Sequence, residues 1–204
     1  MRVLIACEFS GTVRDAFIGG GHEAMSCDLE PTSTPGPHYQ GSVLNIIDDG
    51  WDLLIAHPPC TYLTVTGNKW FKPEYADRFP TRHKDREDAV DFFMKLVNAN
   101  IPKIAIENPI GVMSTRYQKP TQVVHPWQFG HEASKSTCLW LKNLPPLSST
   151  NIVGKGEFVT FKSGKRMTKW YADAASLSPK ERAKVRNTTF QGIADAMADQ
   201  WGNL

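Results

Sequence analysis

The sequence predicts an α/β fold, a mostly parallel sheet with helices on both faces. Three observations carry that expectation. Apolar runs rich in Val, Ile and Leu stand at residues 3–7, 52–56 and 101–106 without polar alternation, as strands covered on both faces do. Stretches of helical periodicity, 13–18 and 83–98, lie between them. The strand-like runs are closed by Ser10-Gly11, by Pro58-Pro59-Cys60 and by Glu107-Asn108-Pro109. Strands alternating with helices give parallel sheets, whose ligands collect at the carboxyl ends of the strands.

In chain order, 3–7 reads as a buried strand that begins at once, so the opening is expected to be structure and not a leader peptide. A turn at Ser10-Gly11 leads to a helix over 13–18 that ends at Gly19-Gly20-Gly21. A second strand, 22–27, stops at Asp28. Strand, glycine turn, helix, strand, acid is the order of a nucleotide-binding βαβ unit. Residues 31–37, with three prolines and a glycine, can only be loop. The third strand, 52–56, runs into His57-Pro58-Pro59-Cys60. Residues 61–82 mix glycine and proline with Lys69, Trp70, Phe71 and Arg78, and predict a long, mobile, basic-aromatic loop. The helix over 83–98 places Val90, Phe93, Met94 and Val97 on one stripe. A fourth strand, 101–106, precedes Glu107. Beyond it, 127–129 and 137–141 read as a strand pair around a polar turn, 157–161 and 166–170 as a short hairpin, and 193–201 as an apolar helix. The expected organisation is a core over 1–147, a small basic segment over 148–186 and a closing helix over 187–204.

The 204 residues suffice for one domain with a sizeable core, and no apolar run reaches the roughly 20 residues that span a bilayer. No membrane partner is expected, and no protein partner can be inferred. The four cysteines, Cys7, Cys27, Cys60 and Cys138, lie far apart without a CxxC pair. That spacing speaks against a zinc site or a disulfide framework and for a reducing cytoplasm. The six histidines form no metal-binding pair, so no metal is expected. Charge is uneven. Residues 151–186 hold nine Lys or Arg against three Asp or Glu, so they carry +6 and the remainder −4 of the total +2. An acidic body with a basic segment points to a localised polyanion contact.

Pro58 and Pro59 stiffen the chain beyond a buried strand and fix the thiol of Cys60 at the sheet's edge, as a nucleophile requires. A carboxyl group at Glu107, partly desolvated at the same edge, is expected to have a raised pKa and to hold a proton near neutrality. A thiolate beside a proton-donating carboxyl is the pair needed for conjugate addition to a pyrimidine: attack at carbon 6, protonation at nitrogen 3, an enamine-like carbon 5.

Cys60 within HPPCTYLT resembles the Pro-Cys motif of cytosine-5 DNA methyltransferases, and Glu107 within IAIENPIGVM resembles their Glu-Asn-Val motif. CEFSGTVRDAF resembles the motif that binds the methyl donor, and TTFQGIADAMADQW the closing motif that completes the donor site. The pattern is similar to the short members of bacteriophages and prophages. The resemblance implies a Rossmann-like class I methyltransferase fold with seven strands, one of them reversed. It implies S-adenosylmethionine as donor, cytosine-containing DNA as partner and the cytoplasm of a bacterial host as location. Carried over, Cys60 is the nucleophile and Glu107 the acid. Phe9, Ser10 and Gly11 cradle the donor's amino-acid part, and Asp28 holds its ribose. Asp48 or Asp49 stands for the acid at the adenine, although Ser42 occupies the place that aligns first. Pro58, Gln191 and Gly192 border the donor. Asn108 and Lys135 face the cytosine, while Lys69, Arg78 and Arg82 of the basic-aromatic loop meet phosphates.

Three departures stand out. Ser134-Lys135-Ser136-Thr137 replaces the family's Gln-x-Arg-x-Arg, Pro109 replaces valine, and only the basic segment is available as a reduced target-recognition element. The same chemistry on RNA, single-stranded DNA or a free nucleotide, the transfer of another group, and non-catalytic binding of donor or DNA therefore stay open. A dehydrogenase is disfavoured, because no GxGxxG follows the first strand.

Overall fold

The computed structural model describes residues 1–204. In order, the chain forms β1 (Arg2–Ala6), α1 (Thr12–Gly19), β2 (Glu23–Asp28), β3 (His38–Gln40), β4 (Leu53–Ala56), α2 (Arg82–Val97), β5 (Lys103–Pro109), α3 (Met113–Arg116), β6 (Gln122–Val124), β7 (Thr137–Lys142), β8 (Phe158–Thr160), β9 (Arg166–Thr168), α4 (Lys169–Asp173), α5 (Pro179–Asn187) and α6 (Gln191–Gly202). The first seven strands make one sheet in the order β3-β2-β1-β4-β5-β7-β6, and β8 pairs with β9 apart from it. All neighbours in the large sheet are parallel except those of β7, which runs against both β5 and β6. This is the expected Rossmann-like, mostly parallel, seven-stranded sheet with one reversed strand.

The strand residues show why the sheet is covered twice. Side chains alternate across a strand, and both alternating sets are apolar. Val3, Ile5, Leu53, Ile55, Ala105 and Leu139 face α1 and α6, where Val13, Phe17, Ile193, Met197 and Trp201 close one core. Leu4, Ala6, Leu54, Ala56, Ile104, Ile106 and Trp140 face the other way, onto Val90, Phe93 and Leu96 of α2. Each such side chain, fully buried, contributes about 1.5–3 kcal/mol. No helix is long and apolar enough to cross a membrane.

Four local expectations change. The strand that pairs with β7 is 122–124 and not 127–129; Pro126 cannot donate to a ladder, and 126–128 forms a 3-10 turn instead. β5 runs on through Glu107-Asn108-Pro109, because β7 offers partners: Glu107 lies opposite Leu139, Asn108 opposite Cys138 and Pro109 opposite Thr137. On α2 the fully buried residues are Phe93 and Leu96, whereas Met94 and Val97 are half-buried. The expected mobile loop after Cys60 is built as 3-10 segments at 65–71 and 73–75. The tail helix and the hairpin stand where expected, with Gly164 at φ 77° in the hairpin turn.

Arg14 accounts for the packing of the proline-rich loop. It is fully buried on α1 and donates to Ser26, Thr32 and Thr34 side chains and to the carbonyls of Thr34 and Pro35, at 2.8–3.3 Å. Its Nε meets Asp15 at 2.8 Å. Residues 32–35 are thereby folded down onto the turn after β1.

Candidate active site

The carboxyl edge of the sheet gathers the turn after β1, Asp28 at the end of β2, the turn after β4 and the end of β5. β4 and β5 are neighbours in register, Ala56 beside Ile106, so His57 and Glu107 lie side by side one step further on. Asn108 Nδ2 donates to the Pro58 carbonyl at 2.8 Å. The segments that follow are bridged as well: Val112 N reaches Leu63 O at 2.8 Å, Val65 N reaches Ile110 O at 3.2 Å, and Thr64 pairs with Gly111. Leu63 N and Thr64 N both return to the Cys60 carbonyl, at 3.0 and 2.9 Å. The Cys60 turn and the Glu107 strand are thus held together by backbone and amide bonds on either side of Cys60.

Electrostatics couples the two groups. Burial raises the Cys60 thiol above its ordinary value, the negative charge of Glu107 raises it further, and Lys135 acts against both. Burial also pushes Glu107 upward, yet the net direction is down: a hydrogen bond from His57 and the charges of Lys135 and His57 hold the carboxyl below its usual range. The expectation of a raised Glu107 pKa is therefore corrected in the free protein. His57 and Lys135 both act on Glu107, a pairing that composition alone does not reveal. His57 Nδ1 stands 3.5 Å from Glu107 Oε2, with the two side chains 8% and 17% exposed. Lys135 is half-buried, and its Nζ donates to the Arg186 carbonyl at 3.0 Å. It stands in the segment before β7, close enough for its charge to act on both Cys60 and Glu107.

The donor side is more mixed. Glu8, 4% exposed, accepts from Val13 N at 2.7 Å, Arg14 N at 3.3 Å and Ser10 Oγ at 3.1 Å, and so satisfies the start of α1. Phe9, Ser10 and Gly11 turn beside it, and Ser33 N and Thr34 Oγ1 occupy the carbonyls of Phe9 and Ser10. The amides of Phe9, Ser10 and Gly11 donate to no protein group. Gly11, at φ 77°, has Thr34 and Arg14 packed where a side chain would stand, so the glycine itself admits the proline-rich loop. Asp28 is half-buried, with Oδ1 accepting from Glu30 N at 2.9 Å.

Several expected positions move. Asp48 is exposed and lines a hollow with Asp91, Met94, Lys95 and Asn98. Its neighbours Asp49 and Gly50 give their carbonyls to Arg2 at the start of β1. That is the amino edge of the sheet, away from Cys60, because the chain crosses back below the sheet to enter β4. Ser42, after β3, stays at the carboxyl edge, next to Gly41, whose N donates to the Asp28 carbonyl. Asn108 is 1% exposed and its Nδ2 is turned to the Pro58 carbonyl, so it fixes the turn that carries Cys60 instead of standing open at the edge. Arg82 is 9% exposed, with its guanidinium 4.8–5.5 Å from the rings of Tyr62, Phe71 and Phe79. It is the interior of the basic-aromatic segment and not a phosphate contact. Arg86 completes that interior, over Phe71 at 3.4 Å and bonded to Tyr62 O and Asn68. Lys69 and Arg78 are exposed on either side of Trp70. Gln191 is exposed and bonds its own Asp195. Gly192 gives its amide to His131 at 2.9 Å, and a side chain there would strike the Phe129 carbonyl.

Sequence reasoning placed Glu8 at this edge with Phe9, Ser10 and Gly11 but gave it no role, and passed over His57 and Arg14. A signal for Arg14 exists: it falls between Val13 and Phe17 on an otherwise apolar helix face. His57 has a weaker one, as the first residue past a strand whose neighbour carries the acid.

The basic segment closes over this edge. Trp170 packs against Phe190 and Tyr171 and donates to the Ser134 carbonyl at 3.4 Å. Arg186 lies 3.6 Å over Tyr171, and Lys184 stands 5.8 Å from the Phe9 ring.

No protein-family model and no curated protein matches the sequence. Solved structures do match. One is a mutant of DNMT2 from Spodoptera frugiperda, at 13% identity and a TM-score of 0.41, covering 76% of this chain and 54% of its own. Another is the Dnmt2 methyltransferase of S. pombe, at 14% identity and a TM-score of 0.45, covering 100% of this chain and 66% of its own. The chain thus spans 54% and 66% of these neighbours, and the likeness is one of fold alone.

Proposed function

We propose that the chain is an S-adenosylmethionine-dependent methyltransferase acting on carbon 5 of cytosine in DNA through a covalent bond from Cys60. The observation that carries this reading is the joining of the Cys60 turn after β4 to Glu107 on the adjacent β5, clamped by Asn108 and by the bridge between Thr64 and Gly111. A thiol and a carboxyl group held this way serve addition to a ring whose nitrogen must be protonated as its carbon 6 is attacked.

The free amides of Phe9, Ser10 and Gly11 and the second oxygen of Asp28 fit the carboxylate and ribose hydroxyls of the donor. When bound, S-adenosylmethionine supplies an electrophilic methyl group on a sulfonium. Cys60, as thiolate, adds to carbon 6, and Glu107 protonates nitrogen 3, which makes carbon 5 nucleophilic. After methylation, loss of the carbon 5 proton and expulsion of Cys60 regenerate the thiolate. Lys135 steadies both anionic groups. Lys69 and Arg78 beside Trp70, together with the basic segment, favour a polynucleotide over a free nucleotide.

The test incubates the protein and donor with duplex DNA, single-stranded DNA, RNA and deoxycytidine monophosphate, followed by nucleoside mass spectrometry. The expected result is 5-methylcytosine from DNA, abolished in Cys60→Ala. Donor binding without a methylated product on any substrate would remove the proposal.

A further inference from the structure

His57 is a buried group that the chemistry above leaves unused. It follows β4 directly, and its backbone is fixed by the bond from its N to the Ala6 carbonyl at 2.9 Å. The prolines that follow leave it little freedom. Its side chain is 8% exposed, and Nδ1 points at Glu107 Oε2 at 3.5 Å. Nε2 is buried without a hydrogen-bond partner. A buried imidazole with one nitrogen unmatched is unfavourable for folding alone, so its place beside Glu107 calls for a role in the site. The other titratable groups around the pair are Cys60 on the same turn, and Lys135 and Cys138 from β7 and the segment leading into it. Lys135 Nζ is committed to the Arg186 carbonyl.

We infer that His57 is a positioning and proton-relay residue for Glu107, loading the carboxylate with the proton that the pyrimidine ring receives. This rests on the methyltransferase reading. The step balances. The Nδ1–H of the imidazolium transfers to Oε2, leaving a neutral imidazole and a carboxylic acid. Glu107 passes that proton to ring nitrogen 3 as Cys60 bonds to carbon 6. On elimination nitrogen 3 returns it to Glu107 and thence to His57. The pair ends as it began, and the proton released overall is the one lost from carbon 5. The relay also resolves a conflict within the site: a carboxyl held ionised by its neighbours is a poor acid until one of them gives it a proton.

Two readouts test the inference. His57→Asn keeps an N–H near Oε2 but cannot titrate. The expected result is a fall in kcat of about 10-fold or more, as for loss of one general-acid path, with donor and DNA affinities within about twofold. The alkaline limb of the kcat–pH profile is lost. A wild-type kcat and profile in this variant would overturn the relay. Independently of turnover, the Glu107 carboxyl is titrated by carbon-13 NMR in wild type and His57→Ala, and assigned through Glu107→Gln. Its midpoint moves up when the imidazole is gone; an unmoved midpoint overturns the coupling. If wild-type protein methylates nothing, the methyltransferase reading falls, and the NMR arm still decides whether His57 governs Glu107.

Discussion

At Cys60 two opposed influences set reactivity. Burial and the Glu107 carboxylate keep the thiol protonated, while Lys135 favours the thiolate. Alkylation by iodoacetamide, which needs the thiolate, is therefore expected to be slow at pH 7 and to rise as pH passes the ordinary thiol range. Glu107→Gln removes a charge that raises the pKa, so alkylation at pH 8 becomes severalfold faster; Lys135→Met makes it slower. Peptide mass mapping provides the check, with Cys7 as internal control, because burial and the charge of Asp28 push that thiol up to about 12. Equal rates in the three proteins would refute the coupling. The sequence motifs located Cys60, Glu107, Phe9 and Asp28 because strand ends and turn residues leave local signatures. They did not single out His57 and gave Glu8 a place without a role, because those contacts arise only when two strands lie in register or a helix start finds its acceptor.

The segment after Cys60 shows how one element can contain two kinds of arginine. Arg82 and Arg86 fill the inside of a basic-aromatic unit, whereas Lys69 and Arg78 stand outside it around Trp70. Lys69→Ala and Arg78→Ala should each reduce the slope of log Kd for DNA against log salt by about 1. Arg82→Lys should leave that slope alone and lower the melting temperature, because a lysine lacks the planar face that three rings hold. Fluorescence anisotropy across a salt series, beside calorimetry, separates these outcomes. Composition showed that the segment was basic and aromatic; it could not say which charges point inward, since that depends on the first turn of α2. Arg14 poses the same problem on α1. Its replacement by lysine strands several buried acceptors and should cost about 3 kcal/mol in urea unfolding.

The parallel strands β1, β2, β4 and β5 were legible, because strands buried on both faces are mostly apolar, and β3 and β6 were missed because three residues each carry too little pattern. At the level of the whole molecule, the basic segment is a cover joined to both halves of the edge: Lys184 reaches Phe9, the Arg186 carbonyl holds Lys135, and Trp170 rests on Ser134 and Phe190. Trp170→Ala should release residues 158–187 to fast hydrogen exchange while β1, β4 and β5 stay protected; uniform protection would show that the cover is held by something else. The reversal of β7 has a consequence of its own. In a fully parallel sheet, the linker entering a strand arrives on the side remote from the ligands, and only the linker leaving it can serve them. β7 is traversed in the opposite sense, so the chain that enters it, residues 125–136, is delivered at the working side, with Lys135 next to Glu107 and His131 under α6. Apart from the anchors at Phe129, His131 and Ser134, that stretch can change without disturbing any strand crossing on the far side. On the proposed function, substrate preference is therefore expected to change when this single connection is grafted, with the Cys60 turn and its scaffold intact.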